Sequence, residues 1–125
     1  MKLLLDTHVF LWLLAEPDRI GGKTRRALED PTNAVFVSAV SGWEIELKRA
    51  LGKLHAPADL DQSLKTLRFT ELPLHLRHMR ELPRLPDRHR DPFDRMLIAQ
   101  ARADNLILVT HDRAIIGYPV KTMSV

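Results

Sequence analysis

Four acidic side chains stand where the sequence predicts strands to end or helices to begin. They are Asp6, Glu44, Asp94 and Asp112. Carboxylates that share a partly dry crevice repel one another, and a hard, oxygen-seeking cation such as Mg²⁺ or Mn²⁺ relieves that repulsion. Such a cation orients a water molecule, lowers its pKa and neutralises charge on a phosphodiester. If the four acids converge, the chemistry that they predict is hydrolysis of a nucleic-acid backbone.

Each acid also fits a simpler role, as the cap of a helix. Asp6 and Asp112 each directly precede a predicted helix and so could cap it. Two further capping patterns are the pairs Ser41-x-x-Glu44 and Asp91-x-x-Asp94. The two pairs resemble capping boxes, in which a side chain in the first turn bonds back to the cap. Asp91 directly precedes Pro92 and is better placed to cap than to reach a crevice. Ser38 and Thr110, at strand ends beside the acids, either hold a metal-bound water or bond to backbone amides.

Short apolar runs that alternate with helical patterns position these acids. The predicted strands are residues 3–5, 34–37, 68–72, 106–109 and 120–123. The predicted helices are about 8–16, 23–30, 39–51, 73–81 and 92–104, with one more that begins after Pro57 and covers Leu60, Leu64 and Leu67. Residues 82–90 form a predicted loop. This order predicts an α/β fold, a three-layer sandwich with a mainly parallel central sheet, with residues 1–125 forming one domain. In such a sheet, ligands bind outside the carboxyl ends of the strands, where Asp6 and Asp112 both fall.

Length and composition exclude several classes of protein. A chain of 125 residues, 45% apolar and 28% charged, fits one soluble globular domain and not a disordered or fibrous chain. The absence of cysteine excludes a disulfide framework, a thiolate metal site and a cysteine nucleophile. The longest apolar run, residues 9–15, is too short to span a bilayer, and Asp6 and His8 precede it too closely for a signal peptide. We therefore expect a cytoplasmic protein with no membrane partner.

Positive charge is concentrated in residues 77–90, which we call the basic strip. It contains five arginines and two histidines but only two acids, Glu81 and Asp87. The whole chain has a net charge of +3 and a pI near 9.6, which permits a nucleic-acid partner without requiring one. The strip is therefore either a solvated surface or a groove that follows nucleic-acid phosphates.

Four segments carry a resemblance to a known family. They are Leu3-Leu4-Leu5-Asp6-Thr7-His8, residues 38–45 with Trp43-Glu44-Ile45, residues 91–101 beginning Asp91-Pro92-Phe93-Asp94, and Val109-Thr110-His111-Asp112. In their order and separation they resemble the PIN-domain ribonucleases, specifically VapC-like toxins of type II toxin–antitoxin modules, over essentially the whole chain. The resemblance implies an endoribonuclease that cuts RNA with Mg²⁺ or Mn²⁺. It also implies a homodimer restrained by a small antitoxin, a segment of which blocks the acidic site.

The resemblance also implies roles for individual residues. The family's four acids fall on Asp6, Glu44, Asp94 and Asp112, and each of these is a carboxylate here. We expect Asp6 and Asp94 to contact the metal most directly and the other two to complete the cluster, one of them through water, with Asp91 as a helper. On position and charge, the candidates for gripping RNA phosphates are Arg88, Arg90 and Arg95.

Other classes of protein remain as alternatives. The main one is a catalytically inactive module that binds nucleic acid or protein through the basic strip 77–90, although four intact acids argue against it. A receiver domain would need paired acids after the first strand, and an aspartyl phosphatase would need an acid where His8 stands. His75-x-x-His78 could place two imidazoles toward zinc, but no third ligand is identifiable. Trp12 and Trp43 lie in apolar helix patterns, which favours core or dimer-interface positions over base stacking.

Overall fold

A five-stranded, all-parallel sheet forms the centre of the fold in a computed structural model that describes residues 1–87 and 91–125. The strands are β1 (Lys2–Leu5), β2 (Ala34–Ser38), β3 (Thr70–Leu72), β4 (Ile107–Thr110) and β5 (Thr122–Ser124), in the order β3-β2-β1-β4-β5. β1 lies at the centre, where Leu3 pairs with Val35 of β2 and Leu4 with Leu108 of β4. Both faces of β1 are covered, which explains its uninterrupted run of leucines.

Seven α-helices connect the strands within the described residues. They are α1 (Thr7–Ala15), α2 (Gly22–Glu29), α3 (Ala39–Ala50), α4 (Leu60–Leu67), α5 (Leu76–Met79), α6 (Pro92–Ala103) and α7 (Arg113–Ile116), with 3₁₀ turns at Pro17–Arg19 and Leu82–Arg84. No helix in the described ranges is long and apolar enough to cross a membrane.

Two apolar layers enclose the sheet, because successive side chains of a strand point to opposite faces. One layer includes Leu4, Leu97, Ile98 and Leu108, and the other includes Leu3, Leu5, Phe10, Ile45 and Val109. The first layer joins the sheet to α6, and the second joins it to α1 and α3. These two layers fix the positions of the helices that carry the acidic residues, and they confirm the three-layer α/β fold.

The predicted elements are present, with differences at their ends. All five predicted strands exist, and the sheet is entirely parallel. The helix predicted over 73–81 is confined to α5, because residue 75 still has an extended backbone. The sequence of residues 8–16 is apolar nearly all round, which predicts a helix sunk into the core. That prediction is wrong, because of the side chains of α1 only Thr7, Val9 and Phe10 are buried. A helix packed on one face of a sheet has its opposite side left partly open.

Candidate active site

An open cleft of about 480 Å³ lies beyond the carboxyl ends of β1 and β4. Its lining residues are Asp6, His8, Trp12, Asp94, His111, Asp112 and Arg113. Three of the four predicted acids thus share one cleft, although they come from three separate parts of the chain. Asp6 follows β1, Asp112 follows β4, and Asp94 lies in the first turn of α6. The parallel sheet brings them together because its strands end at the same edge.

Asp6 is held firmly at the end of β1. The residue is only 2% exposed. One carboxylate oxygen, Oδ1, accepts a hydrogen bond from the His8 backbone N–H at 3.1 Å, and Oδ2 accepts one from the Thr110 hydroxyl at 2.6 Å. The Thr110 oxygen in turn accepts the Asp112 backbone N–H at 3.0 Å. These bonds orient the Asp6 carboxylate and join the ends of the two strands that carry the cleft.

The capping roles of the acids are compatible with their positions in the cleft. Asp6 caps α1, and Asp112 caps α7 by accepting the Ala114 backbone N–H at 2.9 Å. Asp91 caps α6, because its Oδ1 accepts the backbone N–H groups of Phe93 and Asp94 at 2.9 and 3.2 Å. The expected capping role of Asp91 is confirmed. In Asp6 and Asp112 a single oxygen makes the capping bond, so the same side chain both caps a helix and lines the cleft.

The capping box predicted for Ser41 and Glu44 is wrong. Strand β2 continues to Ser38, and α3 begins at once, so Ser38 is the cap; its oxygen accepts the Val40 backbone N–H at 2.9 Å. Ser41 bonds instead to the Thr7 hydroxyl at 2.8 Å. The carboxylate of Glu44 is therefore not used in starting the helix.

Glu44 is a buried carboxylate with one oxygen left over. It is 2% exposed, and its Oε2 accepts a hydrogen bond from Lys48 Nζ at 2.5 Å, one turn further along α3. Its Oε1 is buried and has no hydrogen-bond partner among the described residues. Leaving a buried acceptor unpaired costs about 1–3 kcal/mol, and more for a charged group. An oxygen of this kind is suited to a donor or cation that comes from outside the chain.

Lys48 connects Glu44 with the acids at the start of α6. Glu44 does not line the cleft that holds Asp6, Asp94 and Asp112. The hydrogen bond to Glu44 raises the pKa of Lys48, and the negative charges of Glu44, Asp91 and Asp94 raise it further, against the opposing effect of burial. The ammonium group of Lys48 thus lies in the combined field of acids from α3 and α6.

The donor set fits a hard divalent cation. Within residues 1–87 and 91–125, no three histidine, aspartate or glutamate side chains are grouped so as to hold a metal ion by themselves. Magnesium, however, is usually bound through one or two carboxylates and keeps several waters, so it does not need such a cage. Besides the imidazoles of His8 and His111, the available groups are carboxylate oxygens, and one of them, the buried Glu44 Oε1, has no partner in the described part of the chain. This is the chemistry that Mg²⁺ and Mn²⁺ prefer.

The arginines proposed from the sequence are only partly described. Arg88 and Arg90 lie outside the described residues. Arg95 donates from Nη1 to the Pro86 carbonyl at 2.8 Å and to the Tyr118 hydroxyl at 3.3 Å. These bonds tie α6 to the segment that precedes it and to Tyr118, which follows α7. An additional contact of Arg95 with RNA remains a prediction.

Sequence reasoning missed four residues that line the cleft: His8, Trp12, His111 and Arg113. Core positions for the two tryptophans are wrong, because Trp12 is half-buried in the cleft wall and Trp43 is 61% exposed, in edge-to-face contact with Phe93. A signal was available. His8 and Trp12 are four residues apart and so share a helix face beside Asp6, and His111 lies between Thr110 and Asp112.

The chain matches the sequence model of the PIN domain over residues 3–120. A comparison with curated proteins finds no match. Three similar solved structures are VapBC2 from Rickettsia felis bound to a promoter DNA fragment (TM-score 0.75, 16% identity), DNA-bound VapBC from Salmonella typhimurium (0.67, 19%) and VapBC-1 from nontypeable Haemophilus influenzae (0.63, 17%). Each alignment covers 99% of this chain and 98% of the other. At these identities the similarity is one of fold.

Proposed function

The chain belongs to the PIN domain family, and on that premise we propose that it is a metal-dependent endoribonuclease, the toxin of a type II toxin–antitoxin module. The observation that carries the proposal is the convergence of Asp6, Asp94 and Asp112 on one open cleft. The similarity of its fold to VapBC structures supports the toxin–antitoxin assignment.

Asp6 and Asp94 would hold Mg²⁺ or Mn²⁺ most directly, with Glu44 and Asp112 completing the cluster, one of them through water. When bound, the cation supplies an activated water and neutralises charge on the phosphodiester. The chain's own residues keep the ligands in position. Thr110 and the His8 backbone N–H orient Asp6, and the Asp91 cap fixes the first turn of α6, which carries Asp94.

Lys48 balances the negative charge of the site. Its ammonium group pairs with Glu44 and lies in the field of Asp91 and Asp94. A lysine in this position reduces the repulsion among the carboxylates and permits their approach to one another. It also leaves one oxygen of Glu44 available, because only Oε2 is engaged.

RNA enters the proposal as the substrate because the cleft is open and has cationic groups nearby. Arg113 is exposed and lines the cleft, and Arg88 and Arg90 of the basic strip remain proposed phosphate contacts. We place this activity in the cytoplasm. We further propose that a small antitoxin restrains the protein by covering the acidic cleft, and that the toxin forms a homodimer.

The alternative, an inactive module that binds through the basic strip, receives less support from the described part of that strip. Arg77 pairs with Asp104, and Arg84 pairs with Glu81 at 3.1 Å. Two of its arginines are thus already neutralised by acids of the same chain, whereas the acids of the cleft are all present.

Cleavage of a mixed RNA pool by the purified protein, in Mg²⁺, in Mn²⁺ and in EDTA, tests the proposal. The Asp94→Asn variant accompanies it, with Asp61→Asn as a control that makes the same change at an exposed site on α4. We expect cleavage that requires the cation, is lost in Asp94→Asn and persists in Asp61→Asn. Cation-independent cleavage, or equal cleavage by Asp94→Asn, would contradict the metal site. RNA binding without cleavage by a folded, antitoxin-free sample would favour the inactive module.

A further inference from the structure

Three rings stand together on the wall of the acidic cleft, and we call them the ring cluster. They are His8 and Trp12 of α1 and His111, which follows β4. The ring centroids of Trp12 and His111 are 4.4 Å apart, His8 and His111 meet edge to face at 6.2 Å, and His8 and Trp12 are 6.5 Å apart. These separations are those of interacting aromatic pairs. Two distant parts of the chain thus build one aromatic surface.

The ring cluster faces solvent instead of the core. The side chain of His8 is 55% exposed, and His111 is also exposed. Trp12 is half-buried, and the guanidinium carbon of Arg19 lies 4.1 Å from its ring centroid. Contacts with Arg19 and His111 hold the indole in place, so the two imidazoles have a fixed support. A surface of this kind is prepared for a planar ligand.

The position of the cluster indicates which planar ligand it takes. The same cleft contains Asp6, Asp94 and Asp112, where the proposed function places the reacting phosphodiester. A nucleotide's base is attached to the sugar beside that phosphate, so the base lies against a wall of the same cleft. Proteins bind the unpaired bases of single-stranded RNA by stacking them on aromatic rings, histidines and arginine planes. Arg113, also in the lining, adds a cationic group next to the rings.

We propose that the ring cluster of His8, Trp12 and His111 is a base-stacking subsite for an unpaired RNA nucleotide that adjoins the scissile phosphate. This subsite rests on the proposed ribonuclease function and adds to it the side chains that hold the base beside the scissile phosphate. Stacking is tolerant of base identity, because every base has a π-face. The cluster therefore selects unpaired structure, and sequence preference has to come from other contacts.

The fluorescence of Trp12 tests the subsite directly. The chain has two tryptophans, so Trp43→Phe leaves Trp12 as its single indole. In a Trp43→Phe, Asp94→Asn protein in EDTA, cleavage is off and one repelling charge is removed. We expect a six-nucleotide single-stranded RNA to quench the emission of Trp12, and the matching abasic ribose-phosphate oligomer to leave it unchanged. Equal effects of the two oligomers, or no effect of either, would overturn the subsite.

Affinity gives a second test that does not depend on the optical probe. Trp12→Leu and His111→Ala should each weaken binding of a labelled single-stranded RNA about fivefold or more, as for loss of one stacked base. Trp43→Leu is the matched control, since it removes an exposed tryptophan outside the cleft lining, and it should bind normally. Thermal unfolding checks each variant, and His111→Ala, at an exposed position, keeps the test decisive if Trp12→Leu fails to fold.

The outcomes separate this subsite from the function on which it rests. If the wild type cleaves RNA while both ring variants bind it with unchanged affinity, the subsite is wrong and the ribonuclease stands. A folded wild type that neither binds nor cleaves RNA overturns both. Unchanged RNA affinity together with lost affinity for a protein antitoxin would assign the rings to that partner, and would also overturn the subsite.

Discussion

Two polar regions depend on α6, and they differ in how completely their buried groups are paired. The acidic cleft adjoins the N-terminus of the helix, where Asp94 lies. The second region, which we call the paired network, adjoins the C-terminus of α6, where Asp104 is the C-cap residue. The members of the paired network are Ser38, Arg77, His78, Gln100 and Asp104.

Hydrogen bonds satisfy the paired network throughout. The Ser38 hydroxyl donates to Gln100 Oε1 at 2.5 Å, and Gln100 Nε2 donates to the Pro73 carbonyl at 3.3 Å. His78 is completely buried, with Nε2 2.9 Å from the Asp104 carboxylate, which Arg77 also contacts. The backbone N–H of His75 donates to His78 Nδ1 at 3.0 Å, which makes these histidines a helix cap. For the alternative in which His75 and His78 bind zinc, no third ligand is found among the described residues.

The acids around the start of α6 are not all satisfied in this way. They include Glu44, which lies outside the cleft lining but is joined to Asp91 and Asp94 through the field at Lys48. Within residues 1–87 and 91–125, the buried Oε1 of Glu44 has no hydrogen-bond partner. Buried polar groups are almost always hydrogen-bonded, so a buried carboxylate oxygen without a partner calls for an explanation, such as a functional role. Hydrogen-bond pairing, more than polarity, therefore separates a stabilising polar region from a functional one. Mutations in the two regions should therefore have opposite effects on stability and activity.

The largest effect should come from neutralising the unpaired carboxylate. Glu44→Gln keeps the shape of the side chain but removes its charge, and we expect cleavage of RNA to fall about 100-fold or more, since even groups that support metal ligands are worth 10–100-fold. The unfolding free energy should change by less than about 1 kcal/mol, because a buried charge is removed together with its ion pair. Cleavage assays and urea unfolding measure both.

Glu46→Gln is the matched control for this change, because Glu46 is exposed on the same helix two residues away. It should retain full cleavage activity. If Glu44→Gln cleaves RNA as fast as Glu46→Gln, then Glu44 does not belong to the site and its unpaired oxygen has no role in cleavage.

The paired network should show the reverse behaviour. His78→Ala leaves a cavity, removes one of the partners of Asp104 and leaves the His75 backbone N–H without the His78 ring. We therefore expect a loss of about 3 kcal/mol in unfolding free energy. Cleavage per folded molecule should be unchanged, since His78 is not in the cleft lining. Urea denaturation followed by far-UV circular dichroism gives the first quantity. A loss below about 0.5 kcal/mol would show that the network is not what stabilises this end of α6.

Much of the fold follows from local patterns in the sequence. Continuous apolar runs identified the strands, because a parallel sheet covered on both faces needs apolar residues throughout. The start of α6 was also predictable, since Asp91 followed by Pro92 is a strong helix signal. The burial of α1 was overestimated, because composition alone does not say that the sheet covers only one side of it. These elements bring Asp6, Asp94 and Asp112 together as the sequence order implied.

What the sequence did not show depends on contacts between distant segments. His111 contacts Trp12 only because β4 lies beside β1, and no local sequence pattern around either residue predicts this contact. The role of Glu44 was ambiguous, because a capping box with Ser41 needs a helix that begins after Ser41, whereas the predicted helix 39–51 begins earlier. The structure begins α3 at Ala39 with Ser38 as its cap, so the Glu44 carboxylate is not used as a cap. Pairing and its absence are properties of the packed structure.

A smaller effect should follow from removing Lys48, whose ammonium group pairs with Glu44. Lys48→Met removes the partner of Glu44 Oε2, so neither oxygen of this buried carboxylate keeps a hydrogen-bond partner among the described residues. Because Lys48 is about one-third exposed, we expect a loss of only about 1 kcal/mol, between the values for surface and buried pairs. Added Mg²⁺ should then raise the melting temperature of Lys48→Met more than that of the wild type, since the metal replaces the missing charge. Equal shifts for both proteins would place the cation away from Glu44.

The smallest effect is a pH dependence of stability that arises in the paired network. Burial lowers the pKa of His78 below its ordinary 6.5, and the charges of Arg77 and His75 lower it further, even though Asp104 lies close to the ring. The unfolded chain therefore binds a proton near pH 6.5 that the folded chain refuses, so stability is full above that pH and falls as the pH drops toward the folded-state pKa. Urea unfolding between pH 7.5 and 5.5 should show a steeper loss for the wild type than for His78→Gln, which has no proton to gain. If the unfolding free energy falls equally with pH in the two proteins, the pKa of His78 is the same in the folded and unfolded chains. The paired network would then bury the ring of His78 without lowering its affinity for a proton.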